Sequence, residues 1–150
     1  MSYQEKNITV SLVSQLLIGG YYLISLFQMY QEGALVAARV FRLCAIVIIA
    51  AIIVNIVASI LTNIVLSIVH AIKTQAKEEE RFIEDERDKL IGLKGTKASY
   101  ITFSIGVLLS VLAFAFGQPP LMMVSIIVLS GIVAEIIGDI SQIYLYRRGF

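Results

Sequence analysis

Four stretches of this chain are long and predominantly apolar, and a single densely charged stretch separates the second from the third. A bilayer core of about 30 Å needs roughly 20 apolar residues in a helix. The first stretch, 8–30, meets that length. It is too long for a signal peptide and no small-residue cleavage site follows it, so it reads as a retained anchor. The second, 40–72, runs about ten residues longer than a membrane requires. It must tilt or project, and Lys73, Lys77 and the acidic run beyond favour projection as a helix into the cytoplasm. The third, 99–116, is stopped by Gly117-Gln118-Pro119-Pro120, because proline cannot continue a helix and fits a tight connection. The fourth, 121–146, ends at Arg147-Arg148. The pattern predicts an all-α four-helix transmembrane bundle, a single integral membrane domain over 1–150 with its loop at 73–98.

Charge orients this bundle. With the N terminus inside, the cytoplasmic flanks hold ten Lys/Arg (Lys6, seven in the central loop, Arg147 and Arg148), against Arg39 and Arg42 outside. That asymmetry predicts a multi-pass protein of the inner or plasma membrane with both termini cytoplasmic. Tyr30, Tyr100, Tyr144 and Tyr146 fall near the expected interfaces, where amphipathic rings settle. The chain is 58% apolar and 15% charged, and 14 of its 23 charged residues lie between Lys73 and Lys97. A net charge of +1 argues against direct nucleic-acid binding. One cysteine, Cys44, excludes an internal disulfide.

The charged stretch, QAKEEERFIEDERDKLIGLKGTK over 75–97, has its own order. Phe82, Ile83, Leu90 and Ile91 share one helical face. Glu78 and Arg81, Glu84 and Arg87, and Asp85 and Lys89 are opposite charges three or four apart, each pair worth about 0.2–0.5 kcal/mol to a helix. A helix is therefore expected until Gly92 and Gly95 interrupt it. It is either a solvated continuation of the second span, resting on the membrane or a partner copy, or a recognition surface for a cytosolic protein. A cation site built from Glu78, Glu79, Glu80 and Glu84 is a weaker alternative, since only one histidine exists to help.

Inside the membrane the polar groups align. Glu135 and Asp139 are four residues apart on one face of the fourth span, with Gly131, Gly138 and Gln142 on or beside it. Ionisable groups at such depth normally face a bundle interior or a wet cavity. The second span has a stripe of Asn55, Ser59, Thr62, Asn63, Ser67 and His70, with Thr62 and Asn63 near the expected depth of Asp139. The first adds Ser11, Gln15 and Tyr22 on one face. One reading is a polar path or ion site lined by Glu135, Asp139, Asn55, Thr62 and Asn63. The other is structural: Ser, Thr and Asn hydrogen-bond helix to helix, and Asp139 is hydrated or pairs with Arg147 or Arg148. His70 fits a cap or a snorkelling group at the inner interface better than a ligand. Gly19-Gly20 permits a close crossing, and no small-xxx-small pair stands out. No nucleophile elbow, HExxH, paired histidines or phosphate-binding glycine loop occurs, so neither catalysis, a metal centre nor a cofactor is expected.

Asp85-Glu86-Arg87-Asp88-Lys89-Leu90-Ile91, then Ser99-Tyr100 opening the third span and Tyr146-Arg147-Arg148-Gly149 near the end, resemble a group of uncharacterised four-span membrane proteins of bacteria and archaea. Proteins of that group have a DERDxxI-like cytoplasmic motif and often close on YRRG. The resemblance covers roughly the C-terminal 70 residues. It implies a prokaryotic protein of regulatory or sensing type, whose loop residues Asp85, Glu86, Arg87 and Asp88 touch a cytosolic regulator. Two functions are thus expected of the sequence. One is a membrane-embedded regulatory, sensing or scaffold protein, a homo-oligomer in the lipid bilayer acting through its charged loop. The alternative is a small ion- or proton-coupled transporter using Glu135.

Overall fold

The computed structural model describes residues 3–33, 36–74 and 86–148; the side chains of 3, 4, 6, 58, 59, 61–63, 65–67 and 69–74 lie outside that description. Four α-helices follow one another: α1 (Tyr3–Gln31), α2 (Ala37–Thr74), α3 (Glu86–Ala115) and α4 (Pro120–Arg147). Each is long and apolar enough to cross a membrane. Helices are the one open-ended structure that satisfies every backbone amide inside hydrocarbon, which is why such sequences fold this way.

The largest departure from the sequence reading lies at the start of α3. Its helix begins at Glu86 and runs unbroken through Gly92 and Gly95, where an interruption was expected. Glycine in a helix interior costs about 1 kcal/mol. Tertiary packing outweighs that cost here: Ile91 and Gly95 are both buried, and Gly95 sits directly against the Gln142 side chain of α4. Residues 86–98 of the expected loop are therefore helical. Residues 75–85, with Phe82, Ile83, Asp85 and the acidic run, lie outside the described residues.

The two tight connections use glycine as the sequence suggested for one of them. Gly33 ends α1 at φ +62° and donates to the Tyr30 carbonyl at 3.2 Å. Gly117 adopts φ +89° after α3; its amide bonds Phe114 O at 3.0 Å and the Gln118 amide bonds Ala113 O at 3.1 Å. This crossed pair of bonds closes the helix on a left-handed residue. Pro120 then starts α4 at the first turn, where a missing N–H loses nothing.

α4 is the hub. It packs on α1, α2 and α3, whereas α3 touches neither α1 nor α2 among the described residues. Toward α3, α4 presents Ser130, Ala134 and Gly138, all buried. α3 answers with Gly95, Ser99, Gly106 and Ser110. A Cβ on Gly106 would strike the Cβ and Oγ of Ser130, and one on Gly138 would strike Ser99 Oγ and lie 3.3 Å from Gly95 O. Small residues four apart let the two backbones approach closely, the usual basis of helix association in lipid. The sequence reading found no such pair. Yet each helix has its own small residues four apart, Ser130, Ala134 and Gly138 on α4 and Gly95/Ser99 and Gly106/Ser110 on α3; what the sequence did not show is that these faces meet. Its serines bond back into their own helices, Ser110 to Val107 O at 2.7 Å and Ser130 to Ile127 O at 2.8 Å, so they act as small residues rather than as cross-links.

Toward α1, α4 presents larger groups. Tyr22, Val40, Leu43, Cys44, Val47 and Ile132 form the main apolar core, shared by α1, α2 and α4. Tyr22, fully buried, donates to the Ser125 carbonyl at 3.1 Å with Cys44 Sγ at 3.7 Å.

Candidate functional site

Successive residues turn by about 100° on a helix, so Glu135 falls between the α3-facing stripe of α4 and the α1-facing stripe that contains Ile132 and Asp139. Because α2 and α3 do not touch among the described residues, that intermediate face of α4 is the floor of an open cleft. The cleft holds about 340 Å³ and is walled by Val47, Ile48, Ile52 and Phe103, with Val128 and Gly131 below. Gln15, Asn55 and Glu135 are its polar lining. Glu135 also borders a shallower hollow toward Thr96, Ser99 and Tyr100 of α3.

The expected pair of acids is thus divided by environment. Glu135 is exposed in the cleft, while Asp139, one turn on, is buried against α1 at 8% exposure. Asp139 is hydrogen-bonded by Ser11, and its Oδ2 has no partner among the described residues. The fate expected of Arg148 differs as well: it folds over Tyr144, with Nη1 bonding that hydroxyl at 3.1 Å. Asn55 lies in the cleft beside Glu135. The side chains of Thr62 and Asn63, like those of Ser59, Ser67 and His70, lie outside the described residues.

Gln15 is the residue that the sequence reading placed on a polar face of the first span but did not assign to the site. It lines the cleft at 1% exposure, and its Nε2 has no hydrogen-bond partner among the described residues. Its shared face with Ser11 and Tyr22 was visible; its approach to Glu135 depends on how α1 docks on α4.

A second cluster forms where the chain's last helix ends. Tyr146 donates to Asp88 Oδ1 at 2.8 Å, across 58 residues of sequence. Asp88 is half-buried, Glu86 and Arg87 beside it are exposed, and Arg87 and Glu5 bring charge near the same hydroxyl. Asp88 and Tyr146 belong to the two motifs of the resemblance described above. Sequence alone gave no reason to pair them, since that follows from the antiparallel seam of α3 and α4. Among the described residues, no group of three or more His, Cys, Asp and Glu could hold a metal ion. Compared with protein families, curated proteins and solved structures, the chain matches none.

Proposed function

We propose that this is a membrane-embedded regulatory or sensing protein whose charged segment is the output. The observation that supports it is the Tyr146–Asp88 hydrogen bond. That bond ties the first turn of α3 to the last turn of α4, so a change in how the two helices pack reaches the charged residues directly. Glu86 and Arg87 are exposed next to it and available to a partner. The positive-inside asymmetry favours a cytoplasmic location for this end and both termini, and the resemblance favours a prokaryotic cell. There the partner is a cytosolic regulator protein, and the protein acts by contact, without catalysis of its own. In the bilayer it self-associates, since an α2 that packs on α1 and only lightly on α4 leaves much of its surface for a second copy. Arg87→Glu is expected to abolish capture of the cytosolic partner by the purified, membrane-inserted protein. Equal capture by native protein and variant would sink this reading.

The cleft supports a second reading, a small ion- or proton-coupled transporter. Glu135 and Asn55 share that cleft within a candidate membrane span, and Asp139 is one turn away. A carboxylate so placed could bind a proton or cation and release it on another side. Proteoliposomes containing Glu135→Gln are expected to lose the flux of the native protein. Unchanged flux would exclude this carboxylate as the coupling group.

A further inference from the structure

The cleft has features that select a ligand. Its volume of about 340 Å³ falls within the range of small-molecule sites. Its walls are aliphatic and aromatic, and among the described residues its one ionisable lining group is Glu135 and no Lys or Arg borders it. A carboxylate in a bilayer is costly unless a positive group or a proton meets it, and the low dielectric strengthens whatever pairing occurs. An inorganic divalent ion would need about six oxygen ligands, far more than one carboxylate and two amides supply. A neutral lipid or an anion gains nothing from Glu135. Behind the carboxylate lies Gln15, almost wholly buried, its amide nitrogen lacking a partner among the described residues. A buried donor without an acceptor marks a site that something else completes. The ring of Phe103 borders both hollows around Glu135, where an aromatic face attracts positive charge.

We propose that the cleft between α2, α3 and α4 binds an apolar organic cation, its charge on the Glu135 carboxylate and its apolar body between α2 and α3. The gap between those helices makes entry lateral, from the bilayer in which such cations dissolve. Gln15 closes the back and offers its N–H to a polar substituent. This inference rests on the carboxylate-site reading above and names its ligand class.

The test is equilibrium binding of radiolabelled tetraphenylphosphonium to the full chain in zwitterionic nanodiscs, with empty nanodiscs as background. Tetraphenylborate, the same shape with the opposite charge, is the competitor. Native protein is expected to bind the phosphonium saturably, and the borate to leave that binding unchanged. Glu135→Gln is expected to weaken it at least tenfold. Gly131→Leu tests the cleft without touching the carboxylate. Among the described residues a Cβ at Gly131 would meet only Phe103 Cε2, at 3.9 Å, so a leucine there fills the cleft rather than breaking the helix seam. It too is expected to weaken binding at least tenfold. Absent saturable binding by native protein, equal competition by the borate, or native affinity in both variants would each overturn the proposal. Flux is measured separately. Protein that binds the phosphonium but moves nothing keeps this site and loses the transport reading, whereas inorganic-cation flux without phosphonium binding does the reverse.

Discussion

At the scale of single residues, the contact with the clearest energetic signature is Tyr146 Oη to Asp88 Oδ1. A hydrogen bond to a charged acceptor is typically worth about 1.5–3 kcal/mol when well buried. Both partners are half-buried, so about 1 kcal/mol is the fitting magnitude here. Tyr146→Phe is expected to lower the thermal stability of the reconstituted protein by that amount. Asp88→Asn should cost a similar or smaller amount, and the double variant should cost little more than the worse single one. Such a cycle separates the bond from unrelated packing losses; full additivity would mean the two side chains do not interact. The residue scale is also where the sequence was least informative. Glu135 and Asp139 sit four apart in every reading, but only the docking of α1 explains why one is buried on Ser11 and the other opens to a cleft. Periodicity places groups on a face of one helix and says nothing about which neighbour covers that face.

Elements were far more legible. Long apolar stretches and the Gly117-Gln118-Pro119-Pro120 stop marked the helices within a few residues at most of their ends, because the bilayer imposes a length and forbids open backbone. The exception, the helical start of α3, follows from the same glycines that were expected to break it. Glycine has opposite effects depending on what faces it, and this gives a sharp comparison. Alanine at Gly106 or Gly138 would drive its methyl into Ser130 or Ser99, whereas alanine at Gly20 or Gly92 would meet nothing within 4 Å among the described residues. Gly106→Ala and Gly138→Ala are expected to destabilise the bundle by about 1–3 kcal/mol, the usual cost of overpacking. Gly20→Ala and Gly92→Ala should be neutral or stabilising by up to about 1 kcal/mol, as helix propensity improves and the unfolded chain loses freedom. Thermal or denaturant unfolding in mild detergent would rank the four. If Gly106→Ala and Gly138→Ala proved as stable as the other two, the close approach of α3 and α4 would not be what holds them together.

For the whole molecule, the distribution of charge over a four-helix chain bears on which way it faces. Ten Lys/Arg flank one side of the bundle and two the other. Arg39, one of those two, forms an exposed ion pair with Glu32 at 3.6 Å across the α1–α2 connection. The side bearing Tyr146 and Asp88 should therefore face the cytoplasm. Cys44 is 5% exposed and packed on Tyr22, so it reacts slowly, and Cys44→Ala removes it as a background label. In that background a cysteine at Glu32 is expected to react with a membrane-impermeant maleimide in intact cells. One at Arg147 should react only after the membrane is opened. Both positions are exposed, so silence at either reflects the membrane and not packing. The reverse labelling would put Asp88, Arg87 and the charged segment outside the cell, and no cytosolic partner could then reach them. Labelling of both positions in intact cells would mean two orientations coexist, which a sensor with one output cannot use but a transporter that works as an inverted pair can. Reversed labelling would thus remove the cytosolic-output reading and dual labelling would favour transport, in either case without a ligand or a partner in hand.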